Sequence, residues 1–194
     1  MRGLEHIPLL YDAGMSLGDA LGLSRWRRAL VGDLHGQVLE IGCGTGRTLT
    51  YYPDGADPVA LDPDPALLAR AARRAPHVPL LVAAAEALPF PGGRFDAVVT
   101  SLVFCSVDDV PGGLAEIHRV LKDGGRLRML EHVRATSPFW ARLQDGIQPA
   151  WTRLSGGCRP NRATEEAVEA AGFRIDPGAH KVRGVLRCFS ASKQ

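Results

Sequence analysis

Apolar and polar positions along the chain alternate between two periods, one helical and one extended. Before residue 35, Leu17, Leu21, Trp26 and Leu30 recur at helical spacing, with Arg25, Arg27 and Arg28 placed to face outward and Ser24 placed to cap. Val38, Leu39 and Ile41 then form a short apolar, mostly β-branched run, which predicts a buried strand. Similar runs over residues 58–62, 78–82, 95–100 and 126–133 predict four more strands. Residues 66–75 and 113–121 carry apolar faces at helical spacing, and Gly124 suits a left-handed cap after the second of them. Residues 139–143 and 151–154 predict two helical pieces separated by Pro149. Thr164 is placed to cap a helix over 165–171, and residues 173–175 and 182–190 predict two late strands in an antiparallel hairpin.

Strands alternating with helices predict the α/β class: a doubly wound, mostly parallel, seven-stranded sheet closed by a C-terminal antiparallel hairpin. We read residues 1–194 as one domain, with 1–35 a helical cover and 134–160 a helical insertion after the fifth strand. A dehydrogenase of this architecture would ordinarily continue with another parallel unit instead of the hairpin.

Candidate chemistry concentrates at the end of the first strand. Residues 37–46 read QVLEIGCGTG, with glycines at 42, 44 and 46. Lacking a Cβ, glycine lets the backbone take positive φ and lets a ligand approach the main chain. Residues 47–51 can begin a helix whose free N–H groups would face that ligand. The spacing is G-x-G-x-G, not the G-x-G-x-x-G of dinucleotide sites, and Glu40 stands two residues before the first glycine. One βα unit on, Asp62 ends the second predicted strand. A carboxylate there can accept from both hydroxyls of a nucleoside ribose, or can cap the helix that starts at Pro63 or Pro65. Tyr11 reads as a core aromatic or a ligand contact, and Cys105 as a buried thiol or a pocket residue.

The combination E-x-G-x-G-x-G resembles the first motif of class I S-adenosylmethionine-dependent methyltransferases. Residues 85–90 resemble the family's A-E-x-L-P-F segment around adenine, and residues 95–99 its F-D-x-V-V strand, in which Asp96 sits at the entering end and reads as structural. The family often carries Asp where this chain has Ala84, so adenine recognition would rest on the backbone near Ala85 or on Glu86. The resemblance implies S-adenosylmethionine as cofactor and S-adenosylhomocysteine as product. It implies contacts from Glu40, Gly42, Cys43, Gly44, Gly46, Asp62, Pro63, Ala85, Glu86, Ser101 and Leu102. Between residues 37 and 176 the chain is similar to a narrower group, the methyltransferase-like thiol methyltransferases, through Tyr52-Pro53, residues 101–107, Glu131-His132-Val133, Pro149-Ala150-Trp151 and Gly157-Cys158. The more general motifs fit ubiquinone and menaquinone methyltransferases equally well.

That resemblance sets the functional expectation: methyl transfer to a small apolar acceptor, a thiol before a quinol, phenol, amine or phospholipid. Glu131 and His132 fall at the ligand-side tip of the fifth strand, so His132 is the candidate base and Glu131 its candidate orienter. The aromatic insertion is a natural wall for such an acceptor. A nicotinamide-dependent oxidoreductase and a non-catalytic cofactor-binding module are the readings from other classes.

Composition narrows the partners. The net charge of +2 gives no argument for nucleic acid. The cysteines at 43, 105, 158 and 188 form no C-x-x-C pair, so no metal site is expected, and reduced thiols in a cytoplasmic protein are. The first 14 residues hold no long apolar run, so neither a signal peptide nor a membrane span is expected. Monomer and homodimer are both open.

Overall fold

The computed structural model describes residues 22–155 and 157–194. The expectations for Tyr11, Leu17 and Leu21 lie outside the described residues. Helix α1 covers Ser24–Val31. Strand β1 (Gly36–Ile41) leads into the glycine turn, which is followed by a 3₁₀ turn at Thr48–Tyr51. Strand β2 (Ala56–Asp62), helix α2 (Pro65–Arg74) and strand β3 (Leu80–Val82) come next. Strand β4 (Phe95–Ser101), helix α3 (Val110–Val120) and strand β5 (Leu121–His132) complete the parallel part. Helix α4 (Pro138–Leu154) and helix α5 (Thr164–Ala170) precede strands β6 (Phe173–Ile175), β7 (Lys181–Arg183) and β8 (Leu186–Lys193).

The eight strands form one sheet in the order β3-β2-β1-β4-β5-β8-β6, with β7 also on β8. The five strands from β3 to β5 are parallel, and β8 runs antiparallel to β5. The order reverses between β1 and β4, so the crevice of a doubly wound sheet opens beyond their carboxyl ends. Asp62, Ser101 and His132 end their strands on that edge, and Glu40 stands one residue before the end of β1.

Alternation along each strand sorts the side chains between two faces. Leu39, Ile41, Val98, Leu127 and Met129 pack under α3 with Phe104, Leu114 and Ile117. Val38, Ala97, Val99 and Leu130 pack on the other face under α1, with Leu30, Val31 and Leu34. Arg128 fixes α1 to that face, donating to Asp33 at 2.9 and 3.1 Å and to the carbonyl of Ala29 at 3.1 Å.

Five local expectations change. No α-helix follows the glycine turn; a single 3₁₀ turn does, because Pro53 disfavours helical backbone at the residue before it. Gly124, at φ +75°, belongs to an irregularity in the β4–β5 pairing and caps no helix. Helix α4 runs through Pro149 as one element, since a proline removes only one hydrogen bond of the ladder. Thr164 is the first residue of α5, buried, and its side chain caps nothing. The late segment 182–190 divides at Gly184 (φ +61°) into β7 and β8, whose two-residue hairpin raises the strand count to eight.

Candidate active site

The glycine turn is held from three sides. Its three glycines all have positive φ, at +66°, +55° and +77°. A Cβ on Gly42 would lie 2.6 Å from both γ carbons of Val103, and one on Gly46 would lie 3.0 Å from Ala71 on α2. Asp62 accepts from the N–H of Gly44 at 2.9 Å and from that of Asp64 at 2.9 Å. Arg74, in the last turn of α2, donates to the carbonyl of Thr45 and, at 2.8 Å, to its hydroxyl. Asp62 is therefore a brace for the turn as well as a carboxylate at the strand tip. The α2 cap belongs to Asp64, which accepts from Ala66 N–H at 2.7 Å. Burial raises the Asp62 carboxyl above its ordinary range against those two backbone bonds.

Beside the turn lies a small cleft lined by Glu40, Gly42, Cys43, Thr45 and Ser101, with Arg27, Arg47 and Thr48. Glu40 is 1% exposed, and burial pushes its carboxyl up to about 8 against the pull of Tyr52, Arg27 and Thr48. Its Oε2, the Oγ of Ser101 and the hydroxyl of Tyr52 are buried without a partner at hydrogen-bond geometry. Arg27, expected to face outward, is buried at 4% exposed and lies close enough to Glu40 to favour its charged form. The correction has a visible cause: Arg27 falls in the apolar stripe Leu23, Leu30, Val31 and Leu34, whereas Arg25 and Arg28 fall outside it. Cys43 is buried beside Glu40 and Asp62, and burial pushes its thiol up.

The other candidate contacts spread along the same edge. Pro63 is exposed at the β2 tip, and Ala85 is buried in the core under α3. Glu86 accepts from Asp109 N–H at 3.4 Å, near the start of α3. Leu102 adopts φ +61°, the only positive value for a non-glycine residue among those described, and donates its N–H to Leu130 at 2.7 Å. Asp96 accepts from Lys122 at 2.7 Å and Gln37 N–H at 2.9 Å at the far end of β4, the structural position expected.

Glu131 and His132 do not form a pair. As neighbours on β5 they point to opposite faces. Glu131, fully buried, turns its Oε1 to Thr100 Oγ1 at 3.0 Å and to the N–H groups of Val103 and Phe104 at 3.1 and 3.2 Å. It is a clamp on the loop after β4, not an orienter of His132. Its Oε2 is unpartnered, and burial raises the carboxyl to about 7. His132 is half-buried on the α1 face that also carries Glu40 and Ser101, and burial lowers its pKa. Helix α4 leaves its apolar stripe uncovered. Phe139, Leu143, Ile147 and Trp151 recur every four residues on α4, and all four are exposed. The helix is held by polar contacts, Arg134 to Asp145 at 2.6 and 2.7 Å and Gln144 to Ala135 N–H at 2.7 Å.

Residues 39–129 match the methyltransferase-domain family. The chain is 36% identical over 144 residues to a human thiol S-methyltransferase, covering 70% of this chain and 59% of that one. It carries a methyltransferase domain. A demethylmenaquinone methyltransferase of Renibacterium salmoninarum is 40% identical over 121 residues, covering 59% of this chain and 51% of that one. The chain thus spans between half and three fifths of the length of these relatives. A crystal structure of a Thermotoga maritima S-adenosylmethionine-dependent methyltransferase, described as a possible histamine N-methyltransferase, shares the fold. It superposes with a TM-score of 0.77 at 21% identity over 98% of this chain and 97% of that one. No described helix of this methyltransferase domain is long and apolar enough to cross a membrane.

Proposed function

We propose that this methyltransferase domain binds S-adenosylmethionine at the glycine turn and directs its methyl group to a small apolar thiol. The observation that carries the reading is the cleft where the unpartnered Glu40 Oε2 and Ser101 Oγ lie beside the buried Arg27. A zwitterionic amino-acid tail has the matching charges: Glu40 would accept from its ammonium and Arg27 would hold its carboxylate. Gly42, Cys43, Gly44 and Gly46 would line the main-chain approach, Asp62 and Pro63 the ribose end, Ala85 and Glu86 the adenine end, and Ser101 and Leu102 the sulfonium side. The bound cofactor supplies a methyl group on a positively charged sulfur.

The chain's own part is placement and proton handling. Holding an acceptor in line with the methyl is worth about 7–11 kcal/mol in well-oriented systems. A thiol reacts as thiolate, so a neutral base at the pocket rim promotes it. His132 fits that role: burial keeps it neutral near pH 7, and it shares the face of Glu40 and Ser101. The thiol is favoured over the quinol because the similarity to thiol S-methyltransferases extends over 70% of this chain, against 59% for the quinone enzyme. A panel of alkyl thiols, quinols, phenols and amines, followed by S-adenosylhomocysteine production, tests this. Turnover is expected with the thiols; turnover with quinols alone would overturn the acceptor assignment. Calorimetric binding of NADH in place of S-adenosylhomocysteine would overturn the cofactor.

A further inference from the structure

Two cysteines 53 positions apart in sequence meet beside the clamp carboxylate. Cys105 follows the loop that Glu131 holds and is buried, 3% exposed. Cys158 lies on the segment after α4 and is half-buried. The backbones are joined at this point, since Arg159 N–H donates to the Cys105 carbonyl at 2.7 Å. Arg162 donates to the carbonyls of Phe104 and Val107, both at 2.6 Å, and so pins the loop from the same side. The Arg159 backbone bond brings residue 158 beside Cys105, and the Cys158 thiol lies close enough to raise the pKa of the Cys105 thiol. Glu131 lies within electrostatic reach of both. None of the four cysteines is in a disulfide in this structure.

We propose that Cys105 and Cys158 are a redox site that a small peroxide converts to an intramolecular disulfide, tying the segment after α4 to the loop after β4. The half-buried Cys158 is the entry point, because a thiolate must reach the oxidant and Cys105 is shielded. The Cys158 thiolate attacks one peroxide oxygen, the O–O bond breaks, and hydroxide leaves with a proton as water. Cys158 is then a sulfenic acid. The Cys105 sulfur displaces its hydroxyl, which takes the Cys105 proton and leaves as a second water. Two thiols and one peroxide thus give one disulfide and two waters. A dithiol reductant reverses the bond by exchange.

The test uses the full chain treated with stoichiometric hydrogen peroxide, then alkylated and digested with trypsin without reduction. Cys105 and Cys158 fall in separate peptides, residues 95–119 and 154–162. The expected product is those two peptides joined, 2 Da lighter than their sum, with loss of two titratable thiols and recovery on dithiothreitol. Closing a loop of this size is also expected to raise the melting temperature by roughly 10 °C in the oxidised form. Cys158→Ser should form no joined peptide. Oxidation of Cys158 to sulfinic acid with Cys105 still alkylatable would overturn the proposal, as would joining seen only in denaturant.

Discussion

Glu131 accepts from the backbone N–H of Val103 at 3.1 Å, and the γ carbons of Val103 fill the space that a Cβ on Gly42 would need. One buried carboxylate on β5 thus sets the position of the β4 loop and, through it, of the glycine turn on β1. Removing it leaves three donors, two of them backbone, without their acceptor. Glu131→Ala is expected to cost about 2–4 kcal/mol of stability in a denaturant titration. Glu131→Gln keeps an acceptor at Oε1 and is expected to cost less than about 1 kcal/mol. Equal losses for the two substitutions would contradict the clamp.

Gly42→Ala combines two faults: a methyl group 2.6 Å from Val103 and a side chain at φ +66°. The overlap can be relieved and the dihedral cannot. We expect a loss of about 2–3 kcal/mol and weaker S-adenosylhomocysteine binding, with Val103→Ala restoring part but not all of the stability. Full restoration in the double variant would mean that φ carries no strain.

Arg27→Met preserves the stem in the apolar stripe and deletes the charge. If Arg27 holds a carboxylate, the Kd for S-adenosylhomocysteine rises about 10- to 150-fold, the worth of a charged hydrogen bond. A decarboxylated analogue should then bind the variant and the original protein alike. Unchanged affinity in Arg27→Met would remove the residue from the site.

The two buried glutamates set a pH dependence of stability. Each carboxyl is raised in the folded chain, Glu40 to about 8 and Glu131 to about 7, from an ordinary 4.5. The folded state therefore binds more protons than the unfolded state above pH 4.5. The stability they contribute is whole below that value and is lost as pH rises to about 7 and 8. Melting temperature of the free protein should fall across this window, and less steeply in Glu40→Gln. An ammonium bound at Glu40 would favour the charged form, so binding of S-adenosylhomocysteine at pH 7 should release protons. Calorimetry in two buffers of different ionisation enthalpy measures that release, and its persistence in Glu40→Gln would refute the assignment.

His132 titrates in the opposite sense. Its folded pKa is depressed by burial, so it is neutral above the ordinary imidazole range and gains a proton only at lower pH. Thiol turnover limited by this base should fall on the acid side, below pH 6.5. His132→Asn should lower kcat by about 10²–10⁴ at pH 7 and remove that limb, with the Kd for S-adenosylhomocysteine unchanged. A variant with the same pH profile would exclude His132 as the base.

The strands, the glycine turn and the carboxylates at the strand tips were legible along the chain because each is local. A β-branched run, a glycine that must take positive φ and an acid at a strand end need no distant partner to be recognised. Asp62, Ser101 and Gly44 stand where that reading put them. Partnership across the sheet was not legible. That Glu131 turns from His132 to Val103, that Arg27 lies buried on α1 beside Glu40, and that Cys158 meets Cys105 all depend on which strands are neighbours and which face each helix covers. Those choices are made by burying the two apolar faces of one sheet at once, a cooperative energy that no short window of residues contains.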